Sequence, residues 1–226
     1  MTITLTFVLM IVVFVATLFI QFWLQRTYAR YSRVANSRGV TGEQVARSIL
    51  NAYGLHNVRV EMVPGALTDH YDPLAKAVRL SEPNFHSPSA AALAVAAHEV
   101  GHAIQDAKSY AWLRVRHSIL PVANIGSMFG PWIFLAGMFM GATGMMSIGI
   151  WLFAAAALFQ LITLPVEFDA SNRALTILNK MNFLEKAEMG GARAVLTAAA
   201  MTYVAALANS LATILHYVAI MMSNRE

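Results

Sequence analysis

The sequence predicts a mainly α membrane protein with about four transmembrane helices and a small α+β cytoplasmic domain, a short sheet plus one histidine-bearing helix. Three observations carry this. The chain is 58% hydrophobic and only 12% charged, where a soluble domain is usually about a quarter charged. Long runs carry no charge at all, from Thr2 to Gln25, from Ser118 to Val166, and through most of Gly190 to Met222. The largest polar segment holds His98-Glu99-Val100-Gly101-His102, led in by Ala90, Ala91, Ala92, Ala94, Ala96 and Ala97.

The organisation expected from these runs is fivefold. Residues 1–25 form an N-terminal transmembrane anchor, long enough to cross a hydrocarbon core. Nothing basic precedes this run, whereas Arg26, Arg30, Arg33 and Arg38 follow it. That order is the reverse of a signal peptide and places the C-terminal end on the cytoplasmic side. Residues 26–117 are the cytoplasmic segment with the histidine helix. Residues 118–166 would extend for ~70 Å as one helix, more than twice a bilayer core. They are therefore a transmembrane hairpin that turns at Gly141 to Gly144, with Pro121 and Pro131 kinking or starting the first arm and Pro165 ending the second. Residues 167–190 are a cytoplasmic helix, and residues 191–226 a C-terminal transmembrane helix whose His216 reads as a helix-contact histidine. Basic residues cluster in the two polar segments and are absent from the hairpin turn, which puts both segments and the site in the cytoplasm.

Within the polar segment, Thr41 and Gln44 form a capping box that opens a short helix closed by Gly54. Val58, Val60 and Met62 alternate with polar residues, a strand signal, and Pro64-Gly65 makes a turn. A second extended piece runs near Ala77 to Leu80. Ser87 as N-cap and Pro88 at the first helical position start the histidine helix. A sheet edge beside that helix is a place where an extended peptide can be held by backbone pairing.

Two histidines four apart share one helix face, as metal ligation requires. Catalytic zinc needs imidazole ligands, an open position and a carboxylate to take a proton, and Glu99 is placed for the last role. Gly101 lets another backbone approach the metal side closely. With no cysteine in the chain, disulfides and thiolate sites are excluded, and a third ligand must be His, Asp or Glu. Candidates are Glu167, Asp169, His70, His86, His117 and Asp106. Glu167 is favoured because it sits where an apolar helix emerges beside polar sequence, and zinc would neutralise its charge. Asp106, two turns past His98, is better placed to orient His102. The net charge of +4 comes with no aromatic-interleaved basic stripe, which argues against nucleic acid. Few ionisable residues lie inside the spans, which argues against a metal transporter.

Leu67-Thr68-Asp69-His70-Tyr71-Asp72-Pro73, Val78-Arg79-Leu80-Ser81, Ala96 through Gln105, and Leu164-Pro165-Val166-Glu167-Phe168-Asp169-Ala170-Ser171 together resemble the YugP-like membrane zinc metallopeptidases of bacteria. The resemblance covers nearly the whole chain. It implies a zincin-like cytoplasmic domain of the gluzincin type, with His98, His102 and Glu167 on one zinc ion and Glu99 as general base. It further implies a polypeptide substrate and residence in the bacterial inner membrane, with membrane-protein quality control as one fitting role. More distantly the chain is similar to HtpX and the CAAX prenyl proteases, whose second motif is Glu-x-x-x-Asp. Here Ser171 stands where that aspartate would be, and Asp169 is the alternative. Arg173, His70 and Tyr71 are candidates to stabilise a developing oxyanion. The rival class is a membrane scaffold or assembly subunit with a structural or vestigial zinc site, for which the Met-rich stretch from Met138 to Met146 would be a contact surface.

Overall fold

A computed structural model describes residues 2–223 of the chain. In order the elements are α1 (Ile3–Tyr31), α2 (Gly42–Ala52), β1 (Arg59–Val63), β2 (His70–Asp72), β3 (Ala77–Ser81) and α3 (Glu82–His86), then α4 (Ala90–Ala107), α5 (Ala111–Phe139), α6 (Thr143–Lys180) and α7 (Lys186–Ser223). They group into two compact units. One comprises residues 22–113 and 166–200, the other residues 1–21, 114–165 and 201–226.

The first unit contains the sheet, whose strand order is β1-β3-β2. β1 and β3 run parallel, with Val60 opposite Val78 and Met62 opposite Leu80, while the three-residue β2 pairs antiparallel with β3 at the edge. β1 and β3 occupy the two expected extended pieces. The edge strand β2 and the short helix α3 carry too little periodicity to be read beforehand. Helix α2 starts as expected: Thr41 Oγ1 accepts from Gln44 N–H, and the Gln44 side chain accepts from Thr41 N–H. Gly54 follows it with a φ of +72°, a conformation only glycine adopts cheaply.

Helix α4 begins two residues later than expected. Ser87 caps the end of α3 instead, and Ser89 is the N-cap of α4, its hydroxyl accepting from Ala92 N–H at 3.1 Å. The Pro88 carbonyl accepts from Asn36 N–H at 2.8 Å, so the chain is still extended there. From Ala90 to Gln105 nearly all of α4 is buried. It lies in a core that includes Ile49, Leu50, Leu80, Leu93, Ile104 and Leu178, side chains worth about 1.5–3 kcal/mol each when fully buried. The alanines of α4 let α2, α3 and the sheet close around it.

Helix α6 corrects a boundary. It does not stop at Pro165 but runs unbroken to Lys180, with the proline inside. A proline removes one backbone donor and crowds the preceding turn. Here the continuation is held by tertiary packing, since Val166, Ala170 and Ala174 are all fully buried in the core of this unit.

In the second unit the hairpin turns where expected, between α5 and α6, with Gly141 at φ +63°. Pro121 and Pro131 lie inside α5. Glycines bring helices into backbone contact: a Cβ on Gly126 would stand 2.0 Å from the Leu152 carbonyl oxygen. Phe134 stacks on Tyr217 with centroids 4.0 Å apart. Thr6 Oγ1 and His216 Nδ1 are hydrogen-bonded at 2.9 Å, so this histidine does join two helices. Four helices, α1, α5, α6 and α7, are long and apolar enough to cross a membrane. Their outer surfaces leave large apolar side chains uncovered, Trp151 at 77% and Trp132 at 71% exposure among them. Such a surface needs lipid rather than water around it.

Gly126→Ala forces α5 away from α6 and should lower the stability of the purified protein by about 1–3 kcal/mol, read as a lower Tm in detergent. An unchanged Tm would show that the two helices tolerate separation there.

Candidate metal centre

Helices α4 and α6 meet in an antiparallel pairing that builds the site. Gln105 Nε2 donates to the Val166 carbonyl at 2.8 Å, Gly101 faces Ala170, and His98 Nδ1 meets Ser171 Oγ at 3.1 Å. Residue numbers thus fall along α4 as they rise along α6. Each helix presents an i, i+4 pair to the other, His98 with His102 and Glu167 with Ser171. The contact is closest at Gly101, where a Cβ would stand 2.8 Å from the Ala170 carbonyl oxygen. The glycine in the motif is there because the neighbouring backbone occupies the space of a side chain, as its sequence position suggests.

Three ligand atoms converge. His98 Nε2 and His102 Nε2 are 3.2 Å apart, and Glu167 Oε2 stands 3.3 Å from the first and 3.6 Å from the second. Among the described residues, His98, His102 and Glu167 form a group that could hold a metal ion. Zinc bonds of about 2.0–2.2 Å in a tetrahedron place neighbouring ligand atoms about 3.3–3.6 Å apart. The spacing therefore fits.

A hydrogen bond behind His102 selects its imidazole tautomer. Gln105 Nε2 donates to the Val166 carbonyl and to Asp169 Oδ2, both at 2.8 Å, which turns its amide oxygen toward His102. That oxygen lies 3.0 Å from His102 Nδ1 and is an acceptor, so Nδ1 carries the proton and Nε2 keeps its lone pair. Asp169 is in turn held by Arg173, whose Nε donates to Oδ2 at 2.6 Å. A chain of hydrogen bonds thus runs Arg173, Asp169, Gln105, His102. Ser171 meets the Nδ1 of His98 and so stands in the position the resemblance leaves to it.

The site favours positive charge at its centre. Glu167 is 2% exposed, and an ionised carboxylate buried to that degree is costly without a cation or donor. Burial opposes charging of His102, but the adjacent Glu167 and Glu99 outweigh it and raise its pKa. Burial also lifts the Glu99 carboxyl above its usual range, against the pull of His98 and His102. Glu99 is thus a buried carboxyl group inside the electrostatic reach of both imidazoles.

The remaining candidates fall elsewhere. Gln105, not Asp106, is the partner of His102. Asp106 takes a hydrogen bond from Tyr71 Oη at 2.7 Å and an ion pair from Lys76 at 2.6 Å, tying β2 and the turn after it to α4. His70 is exposed on β2 with its Nδ1 on the Thr68 carbonyl at 2.8 Å. Asp169 and Arg173 join the chain behind His102 rather than the metal-facing side. Gln105 could not be assigned from spacing alone, since the i+3 and i+4 neighbours of a helical histidine are equally near it.

Comparisons with known proteins give the family of the chain. Residues 6–222 match a family model described as "Putative neutral zinc metallopeptidase". The chain belongs to that family of zinc metallopeptidases. It is 48% identical over 216 residues to the "Putative membrane protease YugP" of Bacillus subtilis (strain 168), covering 94% of this chain and 96% of that protein. No solved structure matches the chain.

Gln105→Leu removes the acceptor that sets the His102 tautomer and should weaken zinc binding by about 10–100-fold, measured by competition with a chromogenic chelator. Affinity equal to the parent would show that the amide plays no part.

Proposed function

We propose that this protein is a membrane-embedded zinc-dependent endopeptidase of the gluzincin type. Its site faces the cytoplasm, and it hydrolyses peptide bonds with Glu99 as general base. The observation that carries the reading is the convergence of two imidazole Nε2 atoms and one buried carboxylate oxygen within 3.2–3.6 Å. Three electron-pair donors brought so close suit a shared cation. The family is one of zinc metallopeptidases, and the His2Glu donor set suits zinc.

His98, His102 and Glu167 would hold a single zinc ion, which when bound supplies a Lewis acid and an acidified water. Glu99 accepts the proton of the attacking water and returns it to the departing amine. Its burial suits this role, because a raised pKa brings a carboxylate closer to the proton affinity of the groups it must serve. Gln105 holds the His102 ring with its Nε2 lone pair inward, and Ser171 anchors the His98 ring at its Nδ1. The edge strand β2 packs beside α4, and an extended polypeptide adding to that edge would lie along the histidine helix. The basic residues of the polar segments, following the positive-inside tendency, support the cytoplasmic orientation. Membrane-protein quality control is one role that fits such a peptidase, beside cleavage of membrane-protein loops or of small peptides.

Glu99→Gln should keep its zinc and lose about 10²–10⁴-fold in hydrolysis of a peptide substrate. In cells carrying that variant, quantitative proteomics of the membranes should show uncut proteins accumulating. Full activity in Glu99→Gln would remove it as the base. Glu167→Ala should lower zinc affinity by at least about 100-fold, more than loss of an outer partner does. Unaltered metal content would place the third ligand elsewhere.

A further inference from the structure

The C-terminal end of α1 carries a second feature that the metal centre does not use. Arg26, Ala29, Arg30 and Arg33 line a groove of about 430 Å³, within the range of about 300–1,000 Å³ typical of small-ligand sites. Arg26, Ala29 and Arg30, at i, i+3 and i+4, share one face of α1 at about 100° per residue, and Arg33 follows in the turn just past the helix end, its N–H donating to the Arg30 carbonyl at 3.3 Å. The opposite face is docked. Thr27 is buried, Tyr28 Oη donates to Asn84 Oδ1 at 2.8 Å, and the Tyr31 ring lies against Gly191, where a Cβ would come 2.5 Å from its Cδ1. Those contacts set the rotation of α1 and hold the three guanidinium-bearing positions outward.

Among the described residues, Arg26, Arg30 and Arg33 have no carboxylate within ion-pair distance. Arg30 rests instead over the Tyr31 ring at 5.4 Å. Arg38, further along, is occupied differently, donating to the Met181 carbonyl at 3.4 Å. Topology alone asks only that basic residues follow the span, not that they share a face around a small residue. Ala29 between the arginines leaves room for a group that all three can reach. The stripe begins at the first charged residue after the apolar run and next to the exposed Phe22 and Trp23. If the apolar run crosses a bilayer, the stripe comes level with the lipid phosphates.

We propose that this face of α1 binds the phosphate of an anionic phospholipid headgroup. Guanidinium groups stay charged at all physiological pH values and match phosphate oxygens with paired N–H donors. The glycerol and acyl chains of the lipid run back along the apolar surface at Phe22 and Trp23. The bound lipid sets the depth and rotation of α1, and through Tyr28 and Tyr31 steadies the elements packed on it.

The test uses the full-length protein in detergent, given phosphatidylglycerol or phosphatidylcholine and followed by native mass spectrometry. Retention of phosphatidylglycerol over phosphatidylcholine is expected, with each of Arg26→Gln, Arg30→Gln and Arg33→Gln costing about fivefold in that preference. The exposed Arg59 supplies a matched control: Arg59→Gln removes the same charge from the same unit and should leave the preference as it was. An equal loss in Arg59→Gln would reduce the effect to net charge and overturn the site. So would equal retention of the two lipids. Inorganic phosphate that displaces the lipid at comparable concentration would assign the groove to a soluble anion instead. The three single variants can be checked for folding by their zinc content, which should equal that of the parent.

Discussion

The close contact of α4 with α6 is the constraint from which the site follows. Gly101 gives up its side chain so that the Ala170 backbone can occupy that space. Helices at that separation bring i, i+4 pairs into reach of each other, and His98, His102, Glu167 and Ser171 meet as a result. A wider separation would leave the carboxylate remote from the imidazoles, and the donor set would not close. Much of the composition of the unit serves this approach. Six alanines precede the histidines on α4, and Ala170 and Ala174 line the facing side of α6.

Burying such a set carries an electrostatic cost. An acid and two imidazole nitrogens converge in a largely buried place, where an ionised carboxylate is costly to hold. The surroundings are arranged to keep that geometry rather than relieve it. Gln105 has its amide oriented by the Val166 carbonyl and by Asp169, so it can offer His102 only an acceptor. Arg173 in turn holds Asp169. The Glu-x-x-x-Ser spacing places a neutral hydroxyl, not a second carboxylate, beside His98. The carboxyl of Asp169 remains near the ligands, but it acts one bond further out and through an amide.

The membrane-spanning helices follow a different logic. Glycines such as Gly126 let helices touch backbone to backbone, and the outer faces keep large apolar side chains for lipid. The Thr6 to His216 pair adds a polar contact between distant helices inside this unit. Helix α6 contributes to both units without a break, so that Glu167 is presented from the body of a helix and not from a loop. A ligand on a packed helix keeps its rotamer and its position, which a metal site needs.

The sequence by itself determined the four long apolar helices, the hairpin at Gly141, the capping box at Thr41 and the histidine pair, and it singled out Glu167, which stands with that pair. Each of these rests on local spacing: charge-free length, a 3.6-residue period, or one residue's backbone preference. Tertiary structure alone decided that α6 continues past Pro165, that α4 starts at Ser89, and that β2 sits at the sheet edge. It also decided that Gln105 and not Asp106 addresses His102. These depend on which face of a helix meets a neighbour, and on burial strong enough to override a proline or choose between i+3 and i+4. Contacts between residues sixty or more positions apart leave no trace in the local pattern, because the energy that selects them comes from packing that exists only once the chain has folded.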